Sequence, residues 1–268
     1  MTCASVLAEG LPEMAMTSST VTREIWATRD GVKLHALEWH PRDGELGVPI
    51  LGIGGAISKA ANAKEFGIAA ATGALGARRR LVSADRRGMG ASSAPAIGYT
   101  PREFTMDNEA IVAAAELDDF VVYGHSLGVP IAIAYVLRHR DEVRGLVLGD
   151  YPAVWPRLSE EWLARALAVF DGSWSREGLT QMQRESIETS YWDDLRTLKK
   201  PVLAITGTAG GVLMSAEDAE RYRSTCGAAS LVVIDGADHS LTVNGDKAPF
   251  LAVLRGFLAD VDRRRSTP

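Results

Sequence analysis

Cysteine is scarce in this 268-residue chain: only Cys3 and Cys226 are present. Two residues make no disulfide framework. Nothing in the sequence calls for pairing them, so an oxidising compartment is not indicated. No group of histidines and cysteines has the spacing that holds zinc. No apolar run reaches the ~18 residues that suggest a membrane helix. A positive start is also missing. The first basic residue is Arg23, and Glu9 and Glu13 interrupt the early apolar stretch, which is a poor secretory signal. Positive charge is not in excess either: the net charge is −5. That excludes a broad electrostatic attraction to nucleic acid or to an anionic membrane. Internal repeats, low-complexity segments and any pattern specifying an oligomer are absent as well. The chain therefore reads as a soluble, cytoplasmic protein.

Hydrophobic residues make up 46% of the chain, enough for a sizeable core. Strand and helix patterns alternate along it. Val21 to Thr28 and Val32 to Trp39 are predicted strands around Asp30-Gly31, a strong hairpin signal. Val48 to Ile53 is a short apolar strand of the kind buried on both faces. Then come an Ala-rich helix over Lys59 to Leu75, a strand over Arg80 to Ala84, and a helix over Asp107 to Leu117 with Thr105 or Asp107 near its cap. Later strands are Val143 to Leu148, Pro201 to Thr206 and Leu231 to Ile234. Helices start at Ala216 and run over Ala248 to Val261. This alternation predicts an α/β fold: a mostly parallel sheet with helices on both faces and the opening hairpin at one edge. Residues 1–19 read as irregular, 20–150 and 200–262 as the core, 151–199 as an insertion and 263–268 as a tail.

The insertion holds Trp155, Trp162, Trp174 and Trp192, four of the six tryptophans. At the carboxyl edge of a parallel sheet such a segment can roof a pocket, because ligands bind at that edge. Each tryptophan taken singly also fits simple packing of the insertion onto the sheet.

The most informative stretch is Val121-Val122-Tyr123-Gly124-His125-Ser126-Leu127-Gly128, followed by a helix from Val129 to Arg138. It reads as a strand entering a G-x-S-x-G turn and then a helix. That setting holds a serine exposed at a sharp bend, with small residues where the backbone is crowded. The helix start adds free N–H groups and a positive dipole end beside the hydroxyl. Two further segments stand out: Asp85-Arg86-Arg87-Gly88-Met89-Gly90-Ala91-Ser92, and Gly236-Ala237-Asp238-His239-Ser240 after the last strand.

With these three segments the chain, from about Val21 to Val261, resembles the α/β-hydrolase superfamily in its lid-bearing, esterase-like branch. The Asp85 to Ser92 segment resembles the family's D-x-R-G-x-G-x-S loop. It is expected to be structural, with Asp85 pairing Arg87 and Arg86 solvated.

A serine hydroxyl needs a base to take its proton. His239, in the loop where the family keeps its catalytic histidine, is the best of the five histidines. His35 and His40 belong to the hairpin, and His139 ends a helix. His125 adjoins the serine, so its side chain should point elsewhere, into packing or a pocket wall. The usual slot for the orienting acid falls at Gly210 or Gly211, where there is no carboxylate. Some members carry the acid at the preceding strand end, which here is Asp150. Asp238 and Asp218 are weaker alternatives, and a lid-entry cap is the plainer reading of Asp150. The resemblance also implies an oxyanion hole made by the N–H groups of Leu127 and Ala56, with Gly55 beside them. Many relatives have a His-Gly pair where this chain has Gly54-Gly55. Gly55, His125, Trp155, Trp174 and Trp192 are candidate pocket residues.

The expected activity is hydrolysis of a small-molecule, ester-type carboxylic bond through an acyl-enzyme on Ser126, which needs no cofactor and no metal. A lactonase, thioesterase, acyltransferase or cofactor-free perhydrolase would use the same residues. The empty slot at Gly210-Gly211 leaves room for a non-catalytic ligand-binding protein on this fold.

Overall fold

The computed structural model describes residues 20–226 and 229–265. Cys3 and the expected irregular segment 1–19 lie outside the described residues, as does the end of the tail, while Cys226 is buried with a free thiol. In chain order the elements are β1 (Thr20–Arg29), β2 (Val32–Pro41), β3 (Ile50–Ile53), α1 (Lys64–Thr72), β4 (Leu81–Asp85), α2 (Pro101–Ala114), β5 (Phe120–His125), α3 (Gly128–Arg138) and β6 (Val143–Gly149). The insertion contributes β7 (Val154–Trp155), α4 (Glu160–Ala168), α5 (Arg176–Glu185), β8 (Thr189–Ser190) and α6 (Trp192–Leu195). The chain then returns through β9 (Val202–Gly207), α7 (Ala216–Thr225), β10 (Ala229–Ile234) and α8 (Ala248–Arg265).

An eight-stranded sheet runs in the order β1-β2-β4-β3-β5-β6-β9-β10. The hairpin pairs antiparallel and lies at the edge, and from β4 to β10 the neighbours are parallel. Parallel strands buried on both sides need apolar residues at successive positions. In β5, Val121 packs with Phe66, Phe250 and Leu254 on one face, while Val122 packs on the other with residues of α2 and α3. Each fully buried Leu, Ile or Val stabilises by roughly 1.5–3 kcal/mol before chain entropy is counted. The carboxyl ends of β5, β6 and β9, with the loop after β10, lie along one edge. That places Ser126, Asp150 and His239 together.

Two expectations are corrected by this framework. The second helix begins two turns earlier than Asp107. Thr100 caps it by accepting from the Glu103 N–H, and Pro101 occupies the first turn, where its missing N–H leaves nothing unpaired. Asp107 thus falls inside the helix. Nor does Asp85 pair with Arg87. The β2–β4 register sets His35 opposite Asp85, and His35 Nδ1–H donates to its carboxylate at 2.6 Å. The N–H groups of Ala60 and Ala91 fill the remaining positions on Asp85 at 2.6 and 3.0 Å. Arg87 instead forms a two-pronged pair with Asp107, both bonds 2.7 Å.

The insertion is tied to the 85–92 loop by backbone bonds from Gly90 N to Ser173 O and from Ser175 N to Gly88 O, 2.8 and 2.7 Å. Trp155 lies against Phe104, Trp174 against Phe170 and Trp192 against Tyr222, all three buried.

Candidate active site

Ser126 sits between the end of β5 and the start of α3 with φ +55°. This left-handed backbone is uncommon for a residue with a side chain and persists where surrounding contacts enforce it. Two contacts do so here. Ser126 N donates to Gly149 O at 2.9 Å, and Val129 N donates back to Ser126 O at 2.8 Å. The turn is also pressed against the end of β3. A Cβ at Gly128 would come within 2.2 Å of the Ile53 carbonyl oxygen, so only glycine fits.

His239 reaches the serine from the loop after β10. Its Nε2 lies 3.0 Å from Ser126 Oγ, and its Nδ1 lies 2.7 Å from Asp150 Oδ2. Nδ1 must carry the proton to donate to the carboxylate, which leaves the lone pair of Nε2 facing the hydroxyl. Asp150 is fully buried. Its Oδ1 accepts from Thr206 Oγ1 at 2.7 Å and from Met214 N at 3.2 Å, and its Oδ2 also accepts from Leu213 N at 2.9 Å. Burial alone would raise its pKa. The bonds from His239, Thr206, Leu213 and Met214 outweigh burial and hold it below the ordinary carboxylate value. The loop after β9 thus contributes N–H donors to a carboxylate carried at the end of β6, the strand beside it.

The weaker acid candidates are engaged elsewhere. Asp218 closes a capping box with Ser215 at the start of α7. Asp238 Oδ1 accepts from Ser240 N and Thr242 N, both at 3.0 Å.

A profile described as the alpha/beta hydrolase fold matches residues 54–196, more than half of the chain. The chain belongs to the α/β-hydrolase family. A curated relative, the non-heme haloperoxidase of Rhodococcus erythropolis, is 27% identical over 214 residues, covering 62% of this chain and 78% of that protein. Among solved structures, an N-acyl homoserine lactone degrading enzyme superimposes with a TM-score of 0.70 at 20% identity, covering 87% of this chain and 99% of that one. An esterase from Exiguobacterium antarcticum gives 0.70 at 19% identity, with 88% and 98% covered. Likeness at this level of identity concerns the fold.

In this α/β-hydrolase the loop after β3 approaches the serine closely. A Cβ at Gly55 would lie 2.9 Å from Ser126 Cβ and 3.2 Å from its Oγ. The backbone N–H groups of Leu127 and Ala56 donate to no acceptor among the described residues. Unpaired donors beside a serine are available to a ligand oxygen.

His125 does turn away from the serine. Its Nε2–H donates to the His239 carbonyl at 2.7 Å, and the two rings lie 4.9 Å apart. Burial lowers its pKa to about 4, so it is neutral at physiological pH. Arg86 is not solvated: it is buried and donates to the carbonyls of Gly55 and Ala56, both at 2.6 Å. Neither contact has a sequence signal, because a lone charge or ring next to a motif does not say which way it points.

A cavity of about 470 Å³ is lined by Ile53, Ser58, Phe66, Tyr123, His125 and Phe250 among others. Ser126 and His239 do not line it, so it is separate from the chemistry described above. No helix among the described residues is long and apolar enough to cross a membrane. No group of metal-ligating side chains is found among them.

Proposed function

We propose that the chain is a serine hydrolase of carboxylic ester-type bonds, acting through an acyl-enzyme on Ser126. One observation carries the reading: a continuous hydrogen-bonded line from Ser126 Oγ through both nitrogens of His239 to buried Asp150. Nε2 of His239 takes the serine proton as Oγ attacks the ester carbonyl. Asp150 holds the ring in the tautomer that allows this and stabilises the imidazolium formed. The N–H groups of Leu127 and Ala56 bind the tetrahedral oxyanion. The alkoxide leaves with the proton from Nε2–H. Water, deprotonated by the same nitrogen, then attacks the acyl carbonyl, releasing the acid and restoring Ser126. The insertion serves as a lid over the substrate.

The test is steady-state and stopped-flow hydrolysis of p-nitrophenyl esters of increasing chain length, with simple lactones and thioesters alongside. The expected result is turnover of short esters that disappears in Ser126→Ala. Turnover that survives in that variant contradicts the assignment.

A second reading is favoured by the haloperoxidase name of the curated relative. In it, hydrogen peroxide replaces water as the nucleophile on the acyl-enzyme, and a peroxy acid leaves in place of the acid. Supplying acetate, peroxide and bromide, and following halogenation of a dione, separates the two. The separation requires that halogenation depend on Ser126.

A further inference from the structure

Arg86 brings a full positive charge into the interior with no acid beside it among the described residues. Only 5% of the residue is exposed. Its Nη2 donates to two neutral carbonyl oxygens, Gly55 O and Ala56 O, at 2.6 Å each. Its guanidinium lies 5.4 Å from the centroid of the Phe104 ring, and Nη1 has no hydrogen-bond partner among the described residues. Burial lowers its pKa to about 10, which leaves it cationic at neutral pH. An unpaired buried charge costs several kcal/mol, and two carbonyls and a ring face offset only part of that. A leucine or methionine would pack there without the cost, so the charge calls for a functional account.

The geometry of the peptide bond provides one. The Gly55 carbonyl and the Ala56 N–H belong to a single planar trans unit, in which the two groups point in opposite directions. A guanidinium fixed on the Gly55 oxygen therefore aims the Ala56 N–H away from Arg86. The Ser126 side chain stands beside Gly55, close enough that no Cβ would fit between them. Hydrogen bonding to the carbonyl also polarises the amide and makes its N–H a stronger donor. Within the loop the Ser58 N–H also reaches the Gly55 oxygen, but at 3.2 Å against 2.6 Å for the guanidinium.

We propose that Arg86 is a positioning residue for the oxyanion hole: its guanidinium, anchored on the Gly55 and Ala56 carbonyls, sets the direction and donor strength of the Ala56 N–H before substrate arrives. This rests on the serine-hydrolase reading of the same site. The role is realised in the transition state, because the ground-state carbonyl carries little charge, so it acts on kcat more than on KM.

The experiment compares the full-length wild type with Arg86→Met and Arg86→Lys, after melting curves establish that each variant is folded. Three quantities are read with p-nitrophenyl acetate as substrate: kcat, KM and the affinity of phenylboronic acid, whose serine adduct mimics the oxyanion. For Arg86→Met, kcat falls by roughly 100-fold, the size seen for loss of one oxyanion donor. KM stays within about threefold, and boronate affinity falls in parallel with kcat/KM. Arg86→Lys recovers roughly tenfold of the loss, because an ammonium supplies the charge without the planar fork.

A folded Arg86→Met with wild-type kcat overturns the proposal. A change confined to KM overturns it too, and so does an Arg86→Lys no better than the methionine variant. If Arg86→Met does not fold, the lysine variant decides: its kcat must fall by roughly tenfold, and wild-type kcat in it overturns the proposal. If neither folds, NMR of the wild type decides. The Arg86 guanidinium signals and the Ala56 amide proton must both shift when the boronate adduct forms, and a guanidinium that does not move overturns the proposal. A wild type that neither turns over the ester nor binds boronate at Ser126 shows instead that the hydrolase reading has failed, and this inference fails with it.

Discussion

Replacing Asp150 by asparagine isolates the role of its charge with almost no change of shape. The carboxylate receives four donors: Thr206 Oγ1 and Met214 N on Oδ1, Leu213 N and His239 Nδ1 on Oδ2. Asparagine offers one oxygen and one NH₂ group. With the oxygen kept toward Thr206 and Met214, the NH₂ faces the Leu213 N–H and the ring of His239. The ring then meets a donor and must present Nδ1 as an acceptor, which moves its proton to Nε2. A protonated Nε2 cannot take the proton of Ser126, 3.0 Å away. The expected loss in kcat is about 10³–10⁴-fold, or roughly 4–5.5 kcal/mol of barrier. The orphaned Leu213 N–H costs a further 1–3 kcal/mol, approximately, in stability. The assay is p-nitrophenyl acetate hydrolysis at pH 8, with a urea melt of the same preparation. A folded Asp150→Asn variant whose kcat lies within tenfold of wild type refutes the reasoning. The sign of the pH effect follows from the same bonds. Because they hold the Asp150 pKa below the ordinary 3.8, its contribution to stability is present above that value and is lost as pH falls through the lowered one.

Two further predictions concern the surroundings. A Gly128→Ala side chain meets backbone oxygens of Ile53 and Gly54 at 2.2 and 2.7 Å, atoms that cannot rotate away. A loss on the order of 3 kcal/mol, roughly 6–12 °C in Tm, is expected by calorimetry, and an unchanged Tm would show that the elbow is not pressed on β3. His125 is held neutral by burial, with its pKa lowered from 6.5 to about 4, so the unfolded chain binds the proton first and stability falls as pH drops through that window. The fall due to this residue is about 3 kcal/mol between pH 7 and 4. Urea midpoints should show it in wild type and not in His125→Asn, and the same slope in both proteins removes His125 as its source.

The serine elbow was legible because steric demand there dictates residue type: only glycines tolerate the contacts around Gly124 and Gly128. His239 and Asp150 could be placed at one sheet edge because strand alternation gives the sheet order approximately, and that order decides which loops meet. What stayed hidden depends on direction or on backbone. The donors that let Asp150 serve, Leu213 N and Met214 N, are main-chain groups and leave no mark on residue identity. Arg86 and Arg87 are the same residue type at adjacent positions. One goes to the loop after β3 and the other to Asp107, a choice made by which side of the 85–92 loop each faces. The start of α2 was available but overlooked: Thr100, Pro101 and Glu103 form a capping pattern, while Asp107 is a buried partner of Arg87 and Arg29. The tryptophans of the insertion announced an aromatic cluster. Whether an aromatic faces a pocket or the core depends on packing partners such as Phe104 and Tyr222, which lie far away in sequence.

The most direct measurement is the site and rate of covalent labelling by a fluorophosphonate, read by intact mass and peptide mapping of the folded protein. One adduct is expected, on the peptide containing Ser126, forming at a rate that drops by on the order of a thousandfold in His239→Asn. A folded protein that takes up no label, or takes it up elsewhere than Ser126, contradicts it.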